Sequence, residues 1–330
     1  MKALITGGLG FIGSNFILQL LEKNQNIQIT NVDGEFYGSN SQNLVKIKNN
    51  LQYKYVKGNI NDIKLMKNLI KNNDVIINFA AESFVDRSIS NAIPFLESNV
   101  NGVFTILELI KKNRKRFVHI STDEVYGSLK KGSAVEGTRF NPSSPYSATK
   151  AAAELLINSY AKTYDSDCLI TRCTNNYGPR QFAEKLIPKT IMLAYYEKEI
   201  PIYGTGKNIR DWLYVEDHCL AIEKILYHGK KGESYNISGN NEIGNLTIVN
   251  KILSLMGKST DLIEYVEDRP GHDFRYSMDS SLIRNEIGWK PKVEFEKGLE
   301  KTIQWYLDNK EWWQEYFNII LEDMPWKKES

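Results

Sequence analysis

Two periods of apolar residues alternate along the first half of the chain. Short β-prone runs fall at residues 2–6, 28–32, 53–57, 74–78, 117–121 and 169–173. Between them apolar side chains recur at helical spacing, as in Phe11, Ile12, Phe16, Ile17, Leu20 and Leu21 after the first run. Long helices are expected near residues 94–112 and 145–164. Strands alternating with helices predict an α/β fold, a doubly wound parallel sheet of Rossmann-like type. Past residue 175 the rhythm breaks, and Pro179, Pro188, Pro201, Gly204 and Gly206 mark loops and turns. A smaller C-terminal lobe is expected there.

The first strand run leads straight into Gly7-Gly-Leu-Gly10-Phe-Ile-Gly13, which opens the first helical stretch. Backbone without Cβ lets a pyrophosphate approach the positive end of a helix. The second strand run ends at Asp33, whose carboxylate can accept hydrogen bonds from both ribose hydroxyls and would repel a 2′-phosphate. NAD is therefore expected over NADP. Gly7, Asp33, Ala80 and Thr122 all fall at strand ends, where doubly wound sheets place their ligands. On this reading residues 1–175 form an NAD-binding domain, with returning segments at about 205–231 and 276–330. Residues 176–204 and 232–275 form the substrate-binding lobe.

Composition narrows the partners. Of 330 residues, 42% are hydrophobic and 25% charged, as in ordinary soluble domains, and the net charge of +2 gives no reason to expect nucleic acid or membrane. The basic run at residues 111–116 reads as a solvated helix C-terminus. Cys168, Cys173 and Cys219 are odd in number without metal spacing, and His119, His218, His228 and His272 are scattered, so no metal site is expected. A strand beginning by residue 3 and the lack of a transmembrane-length apolar run point to the cytoplasm. Trp305, Trp312, Trp313 and Trp326 read as packing residues of amphipathic helices.

The chemistry lies in two segments, Ser121-Thr-Asp-Glu-Val-Tyr-Gly127 and Tyr146-Ser-Ala-Thr-Lys150. Tyr146 and Lys150, four apart on a helix, share a face. Pro145 suits the first helical turn, behind Ser143 and Ser144 as caps. The ammonium is expected to lower the phenol pKa toward neutrality. A simple hydride transfer needs one base, so Asp123 and Glu124 suggest a second reaction, in which one proton leaves carbon and another reaches a departing oxygen.

The G-x-x-G-x-x-G loop together with Tyr146-x-x-x-Lys150 resembles the extended short-chain dehydrogenase/reductase superfamily. Within it, Thr122-Asp123-Glu124 is similar to the catalytic triplet of the dTDP-glucose 4,6-dehydratases. The segments at 80–89, 172–179, 184–188, 201–204, 209–218 and 268–276 agree, so the resemblance runs to about Trp313. Asn59, Phe84 and Arg180-Gln181 depart from that family's usual residues. The resemblance implies a nucleotide-sugar substrate and a three-step reaction. Tyr146 takes the C4 hydroxyl proton, with Thr122 and Lys150 holding the geometry, while hydride passes to NAD. Glu124 removes the C5 proton as Asp123 protonates the departing C6 hydroxyl. Hydride then returns to C6. It further implies cofactor contacts from Gly7, Gly10, Phe11, Ile12, Gly13, Asp33, Asn59, Ile60, Ala80, Ala81, Ser98, Tyr146, Lys150 and Asn176. Substrate contacts follow from Ser83, Thr122, Asn175, Lys185, Leu186, Pro201, Ile202, Tyr203, Arg210, Asn245, Arg269 and His272, with the planar guanidinium groups of Arg210 and Arg269 suited to a diphosphate. The two long helices match those of a superfamily homodimer. Another NAD-dependent nucleotide-sugar enzyme, such as a 4-epimerase, would use Tyr146 and Lys150 and leave Asp123 and Glu124 idle. A non-enzymatic NAD-binding regulator would be expected to carry damaged chemistry.

Overall fold

The computed structural model describes residues 1–113, 115–321 and 325–327. Arg114, within the basic run, lies outside the described residues. The strands in chain order are β1 (Lys2–Thr6), β2 (Gln28–Asp33), β3 (Tyr53–Lys57), β4 (Val75–Asn78), β5 (Arg116–Thr122), β6 (Cys168–Cys173), β7 (Asn175–Tyr177), β8 (Ile200–Tyr203), β9 (Ile209–Tyr214), β10 (Ser234–Ile237), β11 (Glu242–Gly244) and β12 (Ile263–Val266). The helices used below are α1 (Phe11–Lys23), α2 (Ile63–Lys71), α3 (Val85–Ser90), α4 (Gly102–Ile110), α5 (Pro145–Tyr164), α6 (Leu186–Tyr195), α7 (Val215–His228), α8 (Asn245–Leu255), α9 (Ser281–Ile287) and α10 (Phe295–Asp308).

Seven parallel strands form the main sheet in the order β10-β6-β5-β4-β1-β2-β3. The inner strands β1 and β4 read as near-continuous apolar runs because both faces are covered, whereas the edge strand β3 is largely polar and partly exposed. Phe16, Ile17 and Leu20 of α1 pack with Ile222 and Ile225 of α7 on one side. Met66, Leu69, Val103, Ile106 and Ile157, from α2, α4 and α5, pack on the other. The order reverses at β1, and a crevice opens there at the carboxyl ends of the strands.

The lobe differs from its expected boundaries. It has its own core, in which Ile187 and Ile191 of α6, Trp212 and Tyr214 of β9, and Ile248 and Ile252 of α8 meet Phe295, Leu299 and Ile303 of α10. Strands β11, β9 and β7 make one small sheet and β12 with β8 another. So α10 and, through Trp212 and Tyr214, β9 contribute to the lobe core although both were expected to return to the main domain, while Leu213 of β9 packs in the main core. Conversely β10, expected in the lobe, closes the main sheet edge beside β6, with Ser234 opposite Ile170. Tyr235 and Ile237 are fully buried in the main core. A four-residue strand carries too little periodicity to be assigned from sequence alone.

One long helix is interrupted. Leu96–Asn101 forms a π-helical turn ahead of α4. The turn sends Asn99, fully buried, back to bracket Glu82: its Oδ1 accepts from Glu82 N at 2.9 Å and its Nδ2 donates to Glu82 O at 3.0 Å. Ser98 then faces the crevice. Insertions of this kind are common at functional sites. Helix α5 is uninterrupted, with Pro145 in its first turn and Ser144 and Ser147 in a reciprocal capping box.

Candidate active site

The glycine loop is tight for a steric reason. Gly7 has φ +69°, and a Cβ there would lie 2.5 Å from Ala80 N. A Cβ on Gly13 would lie 2.6 Å from Gly7 O. No side chain caps α1, so its first N–H groups face the crevice. Asp33, buried at the end of β2, accepts from Leu9 N at 2.9 Å, Glu35 N at 2.8 Å and Ser39 Oγ at 2.9 Å. Burial pushes its pKa up against those three bonds. A carboxylate offers about four lone-pair sites, so Asp33 keeps room for little more than one further donor unless Ser39 turns away.

These groups line a cavity of about 370 Å³ along the strand ends. It takes in Gly7, Gly10, Phe11, Ile12, Gly13, Asp33, Asn59, Ile60, Ala80, Ala81, Ser83 and Ser98, then Thr122, Asp123, Glu124, Tyr146, Lys150 and Asn176. A second cavity of about 200 Å³ lies under the lobe, lined by Leu186, Pro201, Ile202, Tyr203, Arg210, Asn245, Arg269 and His272. Glu124, Asn175, Lys185 and Phe84 line both. The two sets of residues thus meet at Glu124.

The two acids are electrostatically unlike. Thr122 Oγ1 accepts from Glu124 N at 3.2 Å and donates to Asp123 Oδ1 at 3.2 Å, which fixes the turn after β5. Asp123 is 3% exposed, and its Oδ2 has no hydrogen-bond partner among the described residues. Burial, reinforced by the neighbouring Glu124, drives its pKa well above the ordinary carboxylate value. Glu124 is also raised by burial, but Arg269, Lys185 and Arg210 all pull it back. Burial and Glu124 thus favour the neutral form of Asp123, while Glu124, also shifted upward by burial, sits in a field of three cations that favours its charged form.

The expected depression of the Tyr146 pKa is not what the structure shows. Burial, then Glu124, pushes the phenol well above its usual value, and the nearby Thr122 hydroxyl opposes the shift. Lys150 Nζ donates to Ile120 O at 2.6 Å and lies 3.3 Å from His119 Nε2. Burial lowers its own pKa to about 8. Behind it, His119 Nδ1 is 3.0 Å from Asn78 Nδ2, and Asn78 is in turn bonded to Thr6. Sequence spacing puts Tyr146 and Lys150 on one face, but it cannot show that a carbonyl and an imidazole compete for the ammonium.

In the second cavity Arg210 is anchored by carbonyl oxygens, donating to Asp273 O at 2.9 Å and Ile209 O at 2.8 Å, with Tyr276 beneath it at 4.3 Å. Arg269 Nη1 pairs with Asp86 at 2.6 Å, while its Nε has no partner among the described residues. Asn245 Oδ1 is likewise buried and unpartnered. Burial, then Arg269, lowers the His272 pKa to about 4, although Nδ1 lies 2.6 Å from Asp268 Oδ1. Asp86 and Tyr276 were not among the expected site residues. Asp86 lies inside the matched segment 80–89, but nothing in the sequence pairs it with Arg269, 183 positions away.

The three departures have visible places. Phe84 packs against Tyr37 and Phe182, with Lys185 Nζ 4.7 Å from its ring centroid. Asn59 Oδ1 accepts from Asn61 N at 2.9 Å. Arg180 Nη1 donates to Asn15 Oδ1 at 3.1 Å and lies over Trp305. Among the described residues there is no cluster of three or more His, Cys, Asp or Glu able to hold a metal, and no helix long and apolar enough to cross a membrane.

A family model described as GDP-mannose 4,6 dehydratase matches residues 4–302. A dTDP-glucose 4,6-dehydratase of Streptomyces niveus is 44% identical over 319 residues, 95% of either chain. The crystal structure of a dTDP-glucose 4,6-dehydratase from Streptomyces venezuelae with NAD and TYD bound superposes with a TM-score of 0.93 at 41% identity, covering 96% of this chain and 99% of that one. A UDP-glucuronic acid 4-epimerase from Bacillus cereus superposes at 0.89 with 28% identity, over 93% of this chain and 99% of its own.

Proposed function

We propose, because the chain belongs to the dTDP-glucose 4,6-dehydratase family of extended short-chain dehydrogenases/reductases, that it dehydrates dTDP-glucose to dTDP-4-keto-6-deoxy-glucose with NAD as resident cofactor. The observation that carries this reading is the unlike acid pair. A buried Asp123 with an unpartnered Oδ2 and a raised pKa, next to a Glu124 faced by three cations, suits an elimination and has no use in an epimerisation.

The residues fit the cofactor. Gly7, Gly10 and Gly13 leave room for a pyrophosphate at the uncapped start of α1. Asp33 would face the adenosine ribose, with Asn59 and Ile60 beyond it and Ala80, Ala81, Ser98 and Asn176 along the other wall. When bound, NAD supplies the acceptor for hydride from C4, its return to C6, and a positive charge near the phenol. The protein handles the protons. Tyr146, near Thr122, accepts the C4 hydroxyl proton, and the ketone so formed acidifies the C5 hydrogen. Glu124 removes that C5 proton. Asp123 gives its proton to the C6 hydroxyl, which leaves as water. Glu124 finally returns a proton to C5. In the second cavity Arg210 and Arg269 would bind the diphosphate, with Lys185 near the sugar, and with Asn245 and the segment Pro201 to Tyr203 toward the nucleoside.

We further propose a homodimer through α4 and α5, where Phe104 is 45% and Leu155 60% exposed, and a cytoplasmic location, in keeping with three free buried thiols. Turnover with dTDP-, UDP- and GDP-glucose, with products identified by mass and NMR, tests the assignment. Loss of water from dTDP-glucose supports it; inversion at C4 with no loss of water overturns it.

A further inference from the structure

Gln181 sits in a place that neither the sequence motifs nor the family pattern assigns. It follows Arg180 within the loop between β7 and α6, and it is 7% exposed. Its orientation is fixed. Nε2 donates to Asn176 O at 2.8 Å, and a carbonyl can only accept, so the amide cannot be turned over. Its own backbone oxygen accepts from Tyr306 OH of α10, which ties the residue to the lobe core. What remains is Oε1, which is buried and has no partner among the described residues. Asn176, 8% exposed, is in the same state: Nδ2 is spent on Thr174 O at 2.9 Å, and Oδ1 is unpartnered. Both residues line the cofactor cavity. Two buried acceptors, on residues joined by one hydrogen bond, therefore line one cavity, and among the described residues neither has a donor within bonding distance, the unpartnered Thr174 hydroxyl of the same cavity included. Such groups are costly unless a ligand supplies the missing N–H or O–H.

The sheet order says which part of a dinucleotide comes to them. The cavity runs from Asp33 and Asn59, beyond β2 and β3, to Asn176, beyond β6. Strand β6 pairs Cys173 with Thr122, so Asn176 and Gln181 lie at the catalytic end, far from the ribose-binding acid. The group wanted there has two N–H donors on one nitrogen. We propose that Gln181 Oε1, in the same cavity as Asn176 Oδ1, accepts from the carboxamide –NH2 of the bound nicotinamide and thereby sets which face of the ring meets the sugar. This rests on the NAD reading above and adds a positioning residue to it.

Binding measured by titration calorimetry separates the two ideas. The probes are ADP-ribose, NAD and the 3-acetylpyridine analogue of NAD, in which a methyl ketone replaces the carboxamide and no N–H remains. Wild type is expected to bind NAD about tenfold more tightly than the analogue, the scale of one buried hydrogen bond. In Gln181→Met, close in size and without the acceptor, the ratio should fall toward one, through weaker NAD binding. ADP-ribose affinity should not change. Gln181→Glu, which restores an acceptor, should restore the preference. A preference for NAD that survives in Gln181→Met overturns the proposal, as does an equal loss of affinity for ADP-ribose. Failure of wild type to bind ADP-ribose would instead overturn the dinucleotide reading itself.

Discussion

Asp123→Asn should separate catalysis from stability, and the direction of each effect follows from where the carboxyl sits. The substitution keeps size and shape and removes the titrating proton. General acid catalysis contributes about 10²–10⁴ in rate, so with Asp123 as the proposed acid steady-state turnover should fall by that factor, with C4 oxidation less affected. Stability should move the other way. The folded pKa of Asp123 is raised well above its ordinary 3.8, by burial first and Glu124 second. The folded state therefore binds more protons than the unfolded chain. Its contribution is fully present below the unfolded pKa and is lost as pH rises through the folded one. Asparagine has no such loss. An unpaired buried polar group costs about 1–3 kcal/mol, which sets the scale of the stability difference expected at pH 8. Near pH 4 the two proteins should be about equal. Urea unfolding of both proteins across this range reads the difference directly. A gap that does not widen with pH, or turnover unchanged by the substitution, would refute the neutral-acid role.

Glu124→Gln should still accumulate reduced cofactor absorbance on mixing with dTDP-glucose, since Tyr146, Thr122 and Lys150 remain, and should then stall; rapid release of product would remove Glu124 from the base role. Asp33→Ala should narrow the preference for NAD over NADP in a titration, and equal affinities in the wild type would refute the charge argument. Glu154→Gln breaks a buried pair in which Arg172 Nη2 meets Glu154 Oε2 at 2.6 Å just behind the catalytic turn. A loss of about 3–5 kcal/mol is expected in urea unfolding, and a loss under about 1 kcal/mol would contradict the role given to that pair. Leu155→Glu should shift light-scattering mass from dimer to monomer, and a wild type already monomeric at micromolar concentration would end the dimer proposal.

The parts of the molecule that were legible in the sequence are those with local signals. Gly7 and Gly13 announce a strand-to-helix turn because neighbouring backbone leaves no space for a Cβ. Tyr146 and Lys150 share a helix face by spacing alone. The parts that were not legible depend on distant partners. Strand β10 is too short to show a period, and α10 has an amphipathic face without any mark of which core receives it. The Asp86–Arg269 pair and the capture of Lys150 by Ile120 O and His119 join residues far apart in the chain. The unlike charge states of Asp123 and Glu124 are of the same kind, because Arg269, Lys185 and Arg210 come from other segments.

The central claim is that Glu124 and Asp123 carry an elimination across C5 and C6. Running the reaction with dTDP-glucose in D2O and reading the product by NMR tests it most directly. Glu124, half-buried where the two cavities meet, can exchange its proton with solvent. The account predicts a product that has lost the C6 hydroxyl and carries deuterium at C5. Recovery of a sugar that keeps its C6 hydroxyl and its original C5 hydrogen, inverted at C4, would contradict it.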